Sequence, residues 1–319
     1  MIINEQIPKA YAFPDECKFC GSKQVVRYGT YNNIQRWLCK QCKRKFVDNS
    51  APPKMRTPSI QIASALSMFY EGMSLNTIRR HLEQTFHNLP SDSTVHGWIT
   101  RFTGIAVSAD SSCNVQPARI IDKLGHGPFW IANAVPIHIA RSNVWLWDII
   151  DYWNRMLVAS HISSNRTAQD VKTIMELAAE RTGEPPGLVI TNKLGTFKDG
   201  IELAFGTYTH HLQAASPRVQ PYTNTIDRFH GPLKTRNRIM RGLKKRETAE
   251  LIMYGWLVHY NFFRPHEALK YSTPAAIARI EFPYKNWLDV VEKRNGNFST
   301  QESAINSPLD ISTITENIP

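Results

Sequence analysis

Cys17, Cys20, Cys39 and Cys42 are the residues of this chain with the plainest capacity for chemistry. They fall as CKFC and CKQC, in the spacing C-x2-C-x18-C-x2-C. Two such knuckles can surround one tetrahedral ion with four thiolates, and structural Zn2+ is the ion this spacing suits. Disulfides and a redox pair are the competing uses. A chain with no sign of secretion disfavours disulfides, and two matched knuckles argue against a lone redox motif. The segments VVRYG and QRWLC between the knuckles read as two short strands. A module this small has little core, so a metal would supply much of its stability. Cys113, the fifth cysteine, stands alone in a polar stretch and is read as a bystander.

The second resource is positive charge. Thirty-eight Lys and Arg against 27 Asp and Glu leave a net charge of +11. Arg228, Lys234, Arg236, Arg238, Arg241, Lys244, Lys245 and Arg246 form a run with no acid among them. Such a field suits a polyanion, and double-stranded DNA is the expected partner. An anionic membrane surface is disfavoured because the run has no large apolar face to anchor it. The cysteine module is basic too, with Lys23, Arg27, Arg36, Lys40, Lys43, Arg44 and Lys45. No apolar run is long enough to cross a bilayer. The start, MIINEQIPKAYAF, lacks the pattern of a signal peptide. A cytoplasmic, nucleoid-associated location is the expectation.

These groups need elements to hold them. NSAPPKMRTPS is a Pro-rich linker. IQIASALSMFYEG then places Ile62, Leu66, Phe69 and Tyr70 at helical spacing, with Gly72 as the stop. Ser74 is an N-cap candidate for a second helix with Leu75, Ile78, Leu82 and Phe86 on one face. LPSDSTVHGWITRF begins a third, with Val95, Trp98, Ile99 and Phe102 inward. Three short helices with tight turns fit a helix-turn-helix unit. The start of the third, with Thr94 and His96, would then read bases, and Arg79, Arg80 and Arg101 would hold phosphates. A plain three-helix bundle gives the same periodicity. From about Pro128 the pattern changes. FWIANAVPIHIA, NVWLWDIIDYW and RMLVASHI are β-rich runs with short turns. A helix, TAQDVKTIMELAAERTG, follows, then the strand GLVIT, a helical stretch, TYTHHLQA, and a long helix from near Tyr222.

The chain resembles DDE-type insertion-sequence transposases, relatives of retroviral integrases. The resemblance covers Cys17 to about Arg279 and is carried by CKFCGSKQVVRYG, ALSMFYEGMSLNTIRRHLEQTF, STVHGWI, LWDIID, NTIDRFHGPLKTRNRIMRG and HYNFFRPHEALKYSTPAAIA. It implies an α/β RNase H-like core with a mixed five-stranded sheet, and two Mg2+ ions held by an Asp, an Asp and a Glu. The positions matching those acids are Asn133, Asn192 and Asp227. Ala134 stands where a Glu usually follows the first Asp. Two charges are missing, and the third carboxylate is set back by one methylene. Mg2+ needs hard anionic oxygens in a strict octahedron, so Mg2+ is expected in the family but not bound here. Asp148, Asp151 and Asp199 are the acids that could substitute, and Asp151, ending the second strand, is the best placed of them. Its competing reading, a turn residue, is the preferred one. The segment matching Arg228–Arg246 lies along DNA in the family.

The expected organisation is a zinc ribbon over 1–50, a helix-turn-helix over 51–110, a linker over 111–127, an integrase-like core over 128–282 and an extension with a polar tail over 283–319. The leading functional expectation is a transposase-derived protein that recognises element-end DNA as a homodimer or higher multimer, without catalysis. The alternative is an active transposase with an unusual metal site. A third reading is a protein-docking module that has left DNA. The triad changes fit either natural drift or an engineered inactivation.

Overall fold

The computed structural model describes residues 13–31, 34–111, 129–139, 142–192, 194–213 and 245–292. The chain divides into two compact units, one of residues 1–64 with 288–319 and one of residues 65–287.

The first unit holds a three-stranded antiparallel sheet of β1 (Val25–Tyr31), β2 (Ile34–Cys39) and β3 (Lys45–Phe46). Both strands read between the knuckles are present. The core is small: Cys17, Val25, Trp37, Cys39 and Phe46, with Phe19 and Cys42 against it. β1 is irregular between Arg27 and Thr30, where Tyr28 and Gly29 together face Arg36. Two residues opposite one is a bulge, and Gly29 takes the positive φ of 90° that it requires.

Helix α1 (Ser59–Tyr70) leads into the second unit. α2 (Leu75–Phe86) starts as read: the Ser74 hydroxyl accepts from Thr77 N–H. α3 (Asp92–Ser111) runs 20 residues, well beyond the short helix expected. The apolar stripe explains the extra turns. Thr103 and Ala106 are fully buried beyond Phe102, and α3 packs on a later helix, α6 (Arg246–Val258). The two helices meet at Gly255. A Cβ there would lie 2.2 Å from the Tyr70 hydroxyl and 2.3 Å from Thr103 Cγ2, so only glycine permits the approach. The Tyr70 and Thr103 hydroxyls are hydrogen-bonded at 2.6 Å. At the far end of α3, Asp110 takes two bonds from Arg181, at 2.7 and 2.9 Å.

The sheet of this unit has five strands in the order β6-β5-β4-β7-β8. These are β4 (Phe129–Ile139), β5 (Ser142–Asp151), β6 (Leu157–Ser163), β7 (Leu188–Thr191) and β8 (His210–Gln213). β4, β5 and β6 are antiparallel neighbours, while β7 and β8 run parallel to β4. Three meandering strands followed by two crossover strands form the mixed sheet of an integrase-like RNase H core. α4 (Ala168–Thr182) and α5 (Gly195–Phe205) make the crossovers. α4 is bounded by the Thr167–Asp170 capping box and by Gly183 in the left-handed region.

One face of the sheet packs Trp130, Ala132, Ala134, Trp147 and Ile149 against Val171, Ile174, Met175, Phe197 and Ile201 of the two helices. Each large apolar side chain so buried contributes roughly 1.5–3 kcal/mol. Alternation along a strand sends Ile131, Asn133, Asp148 and Ile150 to the other face. There α6 continues into a π-helical turn, His259–Phe263, and a short helix, α7 (Pro274–Ile277), follows. A last short helix, α8 (Trp287–Glu292), falls almost wholly in the first unit. Asn261 of the π turn is fully buried. Its amide donates to Leu157 C=O and accepts from Leu157 N–H, both at 2.9 Å.

Candidate functional site

Two places can be built from residue chemistry. In the first unit the knuckles CKFC and CKQC close over each other because β2 ends at Cys39, next to the turn carrying Cys42. Lys43 turns the chain with a φ of 59°, and Cys39 N–H bonds to Arg44 C=O. One sulfur from each of the four cysteines lies within 4.8 Å of all the others. Cys17 and Cys42 are 3.7 Å apart, and Cys20 and Cys39 3.6 Å. Four thiols are therefore positioned to hold a metal ion. Burial pushes the Cys17 thiol up to about 12. At Cys39 burial is outweighed by the N–H groups of Cys42 and Gln41 and by neighbouring thiols, which bring it down to about 6. Cys113 lies outside the described residues.

The second place is the sheet face opposite the apolar core. Asn133 sits in the middle of β4 and is 8% exposed. Asn192 follows the last residue of β7. Because β7 lies parallel to β4, with Thr191 beside Ala132, the two asparagines meet. Asn192 Nδ2 donates to Asn133 Oδ1 at 2.7 Å, and Ala134 N–H donates to the same oxygen at 2.8 Å. An amide oxygen has two lone pairs, so both are taken. On the opposite face, beside Ala132, the Thr191 hydroxyl is 2.8 Å from His211 Nε2. Burial, with Lys198 nearby, pushes His211 below the usual histidine range. Asp227, the third position, lies outside the described residues.

The substitute acids fall differently from the expectation. Asp151 pairs with Trp130, on the face packed against α4 and α5. Its Oδ1 accepts from Trp153 and Asn154 N–H groups, both at 3.0 Å, which makes it a turn residue. Burial raises its pKa, and those two N–H groups oppose the shift. It is thus turned away from the two asparagines, in keeping with the turn reading preferred from the sequence. Asp199 is on the exposed side of α5. Asp148 is the acid that shares the face: it is directly opposite Asn133 and 1% exposed. The Ser160 hydroxyl donates to it at 2.5 Å. Tyr260 lies close by; its own burial raises its pKa, and the charge of Asp148 adds to that rise. Parity is the part of the signal for Asp148 that the sequence carries, and the β4–β5 register supplies the rest. Asp148 and Asp151 are three residues apart on one strand and must face opposite ways. Among the described residues, the four cysteines form the only group of three or more His, Cys, Asp and Glu close enough to share an ion.

The basic residues divide as well. Arg79 donates to Pro90 C=O at 2.5 Å and to Asp92 at 2.8 Å, so it ties α2 to the start of α3. Arg80, Thr94 and Arg101 are exposed, and His96 is half-buried. The Ser91 hydroxyl accepts from Thr94 N–H at 3.1 Å and caps α3. Arg246 spans from Glu250, at 2.8 Å, to Ser164 and Ile162 C=O on the β6 side. Lys245 is exposed. Arg228, Lys234, Arg236, Arg238, Arg241 and Lys244 lie outside the described residues, as does the long helix read from Tyr222.

Residues 129–266 match the family model described as a DDE domain, DDE_Tnp_IS240. A protein described as an uncharacterized protein in transposable element ISH50, from Halobacterium salinarum, is 31% identical over 86 residues, 27% of this chain. That match spans 28% of the relative's own length. Among solved structures, the HTLV-2 integrase catalytic core domain in complex with magnesium aligns with 51% of this chain and 97% of its own. Its TM-score is 0.38 and its identity 13%. The BIV integrase catalytic core domain aligns with 47% of this chain and 93% of its own, at a TM-score of 0.35 and 14% identity.

Proposed function

With a DDE-type transposase domain at residues 129–266 as the premise, we propose that the chain is a transposase-derived protein that binds element-end DNA without cutting it. The observation that carries this reading is the bonding of Asn133. In a working site of this type the first strand offers a carboxylate with two charged oxygens to a pair of metals. Here it offers one neutral oxygen, and that oxygen is filled by Asn192 and Ala134. A divalent ion would have to break both bonds and would gain no charge. Losing one electrostatic group commonly costs ~10²–10³ in rate; losing two ligands together removes the ions. Mg2+ is therefore not a cofactor of this core.

The four thiols fit zinc. Zinc–sulfur bonds of about 2.3 Å in a tetrahedron place the sulfurs about 3.8 Å apart, close to the 3.7 and 3.6 Å found. Cys17, Cys20, Cys39 and Cys42 would hold the ion, which would supply structure and no reaction step. The cysteine module as a zinc ribbon, α2 and α3 as a helix-turn-helix, and the run Arg228–Arg246 are the DNA-facing parts. Thr94 and His96 stand at the start of α3 for base contacts, with Arg80 beside them for phosphate. Arg79 and Arg246 act through the elements they brace. The protein acts as a homodimer or higher multimer on double-stranded DNA in the cytoplasm, associated with the nucleoid. Among the described residues, no helix is long and apolar enough to cross a membrane.

A second reading has one observation in its favour. Asp148 returns a carboxylate to the position across from Asn133, and an active enzyme with a shifted metal site would use it. Its burial and its bond to Ser160 favour a structural role. Labelled element ends incubated with Mg2+ or Mn2+ test both readings. No nicking or strand transfer is expected. Nicking that disappears in Asp148→Asn or Asp227→Ala would establish the active enzyme instead.

A further inference from the structure

The cysteine module carries two large rings on its surface that its core does not use. Tyr28 is 39% exposed and Tyr31 is 66% exposed. The module's apolar contacts run instead through Trp37, Phe46, Val25 and the cysteines. The β1 bulge accounts for where Tyr28 sits. Tyr28 and Gly29 share one partner, Arg36, and Gln35 Nε2 fixes the bulge by donating to Gly29 C=O at 3.0 Å. The bulge shifts the alternation by one residue and brings Tyr28, Tyr31 and Arg36 together. The Arg36 guanidinium lies 5.6 Å from the Tyr28 ring centre and 5.7 Å from that of Tyr31. The Lys45 ammonium lies 3.9 Å from the Tyr28 ring centre and donates to its hydroxyl. Arg36 Nε is buried and has no hydrogen-bond partner among the described residues. Arg27, Lys43 and Arg44 are exposed on the same module.

Two exposed rings with cations between and beside them combine a stacking surface with a positive field. Bases offer a π-face to stack, and phosphates seek the cations. In duplex DNA those base faces are already covered by neighbouring pairs, so the ligand that can use both features is unpaired. A protein partner would gain from the rings but would have to answer the surplus cations with acids. We propose that Tyr28, Tyr31, Arg36 and Lys45 form a binding surface for single-stranded nucleic acid, the rings stacking on unpaired bases and the cations holding the backbone. This rests on the reading of the chain as a nucleic-acid binder and adds a ligand form, the unpaired strand, and a surface distinct from the helical reader.

The test uses the full-length, metal-loaded protein with two dye-labelled probes, a thymidine single strand of about twelve nucleotides and a blunt duplex. Tyr28→Leu/Tyr31→Leu keeps apolar bulk but removes both rings. It should weaken single-strand binding by more than about tenfold, since one stacked base commonly accounts for about 5- to 160-fold. Duplex binding should change less than about twofold. Tyr28→Phe/Tyr31→Phe should retain single-strand affinity, and metal content should match the parent in both variants. Equal weakening on both probes, or none on the single strand, overturns the stacking surface while leaving duplex recognition intact. Failure of the Phe variant to bind single strand with metal retained also overturns it. If the parent protein binds neither probe at low salt, the DNA reading itself fails, and the proposal falls with it. Capture of an acidic protein that depends on both rings, with no effect on either probe, would assign the surface to a protein partner.

Discussion

The cysteine cage and the asparagine pair each bring together residues distant in sequence, one in each unit, and on the reading proposed above each corresponds to a metal site. They differ in what the ligand atoms can do. Thiols are ionisable, and one sulfur from each of the four lies within 4.8 Å of the others. The two asparagines cannot ionise, and the Asn133 oxygen is already bonded to Asn192 at 2.7 Å. The comparison teaches that geometry is the more durable part of a metal site. β4 and β7 still bring the two positions together, as a metal-bridged pair would require, while a single N–H···O bond does the joining. On the reading proposed above, charge is what was lost.

The largest effect expected from this contrast is on the cysteine module. Its small core leaves a metal to supply most of its stability, and structural zinc in modules of this size is worth apparent values of about 10–16 kcal/mol. Chelation, or Cys17→Ser, should unfold residues 13–50 and leave the five-stranded sheet protected. Hydrogen exchange with metal analysis on the same sample checks this. Uniform protection after complete metal removal would end the contrast.

Returning charge to the pair should make the second site behave like the first. In Asn133→Asp/Asn192→Asp two carboxylates would face each other at the distance now spanned by a hydrogen bond. Without a cation the core should lose on the order of 2 kcal/mol, because one carboxyl must take a proton or move away. Millimolar Mg2+ should recover that loss, while the parent melting temperature stays insensitive to Mg2+. A variant equally stable with and without the ion would show that the face can no longer host one.

Gly255→Ala sharpens the comparison from the packing side. The added methyl would meet Tyr70 and Thr103 at under 2.5 Å, so α6 and α3 must separate. A loss of about 1–3 kcal/mol is expected, unaffected by zinc, and chemical denaturation with and without chelator reads it.

The smallest effect is on pH. Burial depresses the pKa of His161, assisted by Arg246 and opposed by Asp170 and Glu250. The unfolded chain binds that proton at about 6.5. The stability associated with neutral His161 is present above that value and is lost as pH falls below it toward the depressed folded value. The melting temperature should therefore fall between about pH 7 and pH 5, and His161→Gln should flatten part of that fall.

Much of the sheet was legible because its signals are local. β-rich runs with short turns named β4, β5 and β6, and the run ending at Gly183 named α4. The registers Asn133 and Asn192 came from the resemblance, and their contact follows from β7 lying beside β4. What was not legible depends on long-range partners. Only the pairing of β4 with β5 distinguishes Asp148 from Asp151, since a hairpin's register decides which acid faces the site. The length of α3 was hidden because the surface that buries Thr103 and Ala106 comes from α6, over a hundred residues later. Arg79 and Arg246 looked like phosphate ligands by composition; their carbonyl and carboxylate partners could not be read from neighbouring residues. The tyrosine surface was invisible for a related reason: a strict two-residue alternation does not anticipate a bulge.

Asn261 carries a consequence for self-association. Its carboxamide makes with Leu157 the donor–acceptor pair that another strand would have made, and Arg246 occupies Ile162 C=O farther along the same strand. At the β6 border the Leu157 main chain and the Ile162 C=O are thus already matched. A second molecule seeking to zip onto that border would first have to evict a fully buried amide, leaving it unsatisfied at a cost of about 1–3 kcal/mol. Asn261→Leu, similar in bulk but unable to bond, should expose the border and drive concentration-dependent polymerisation.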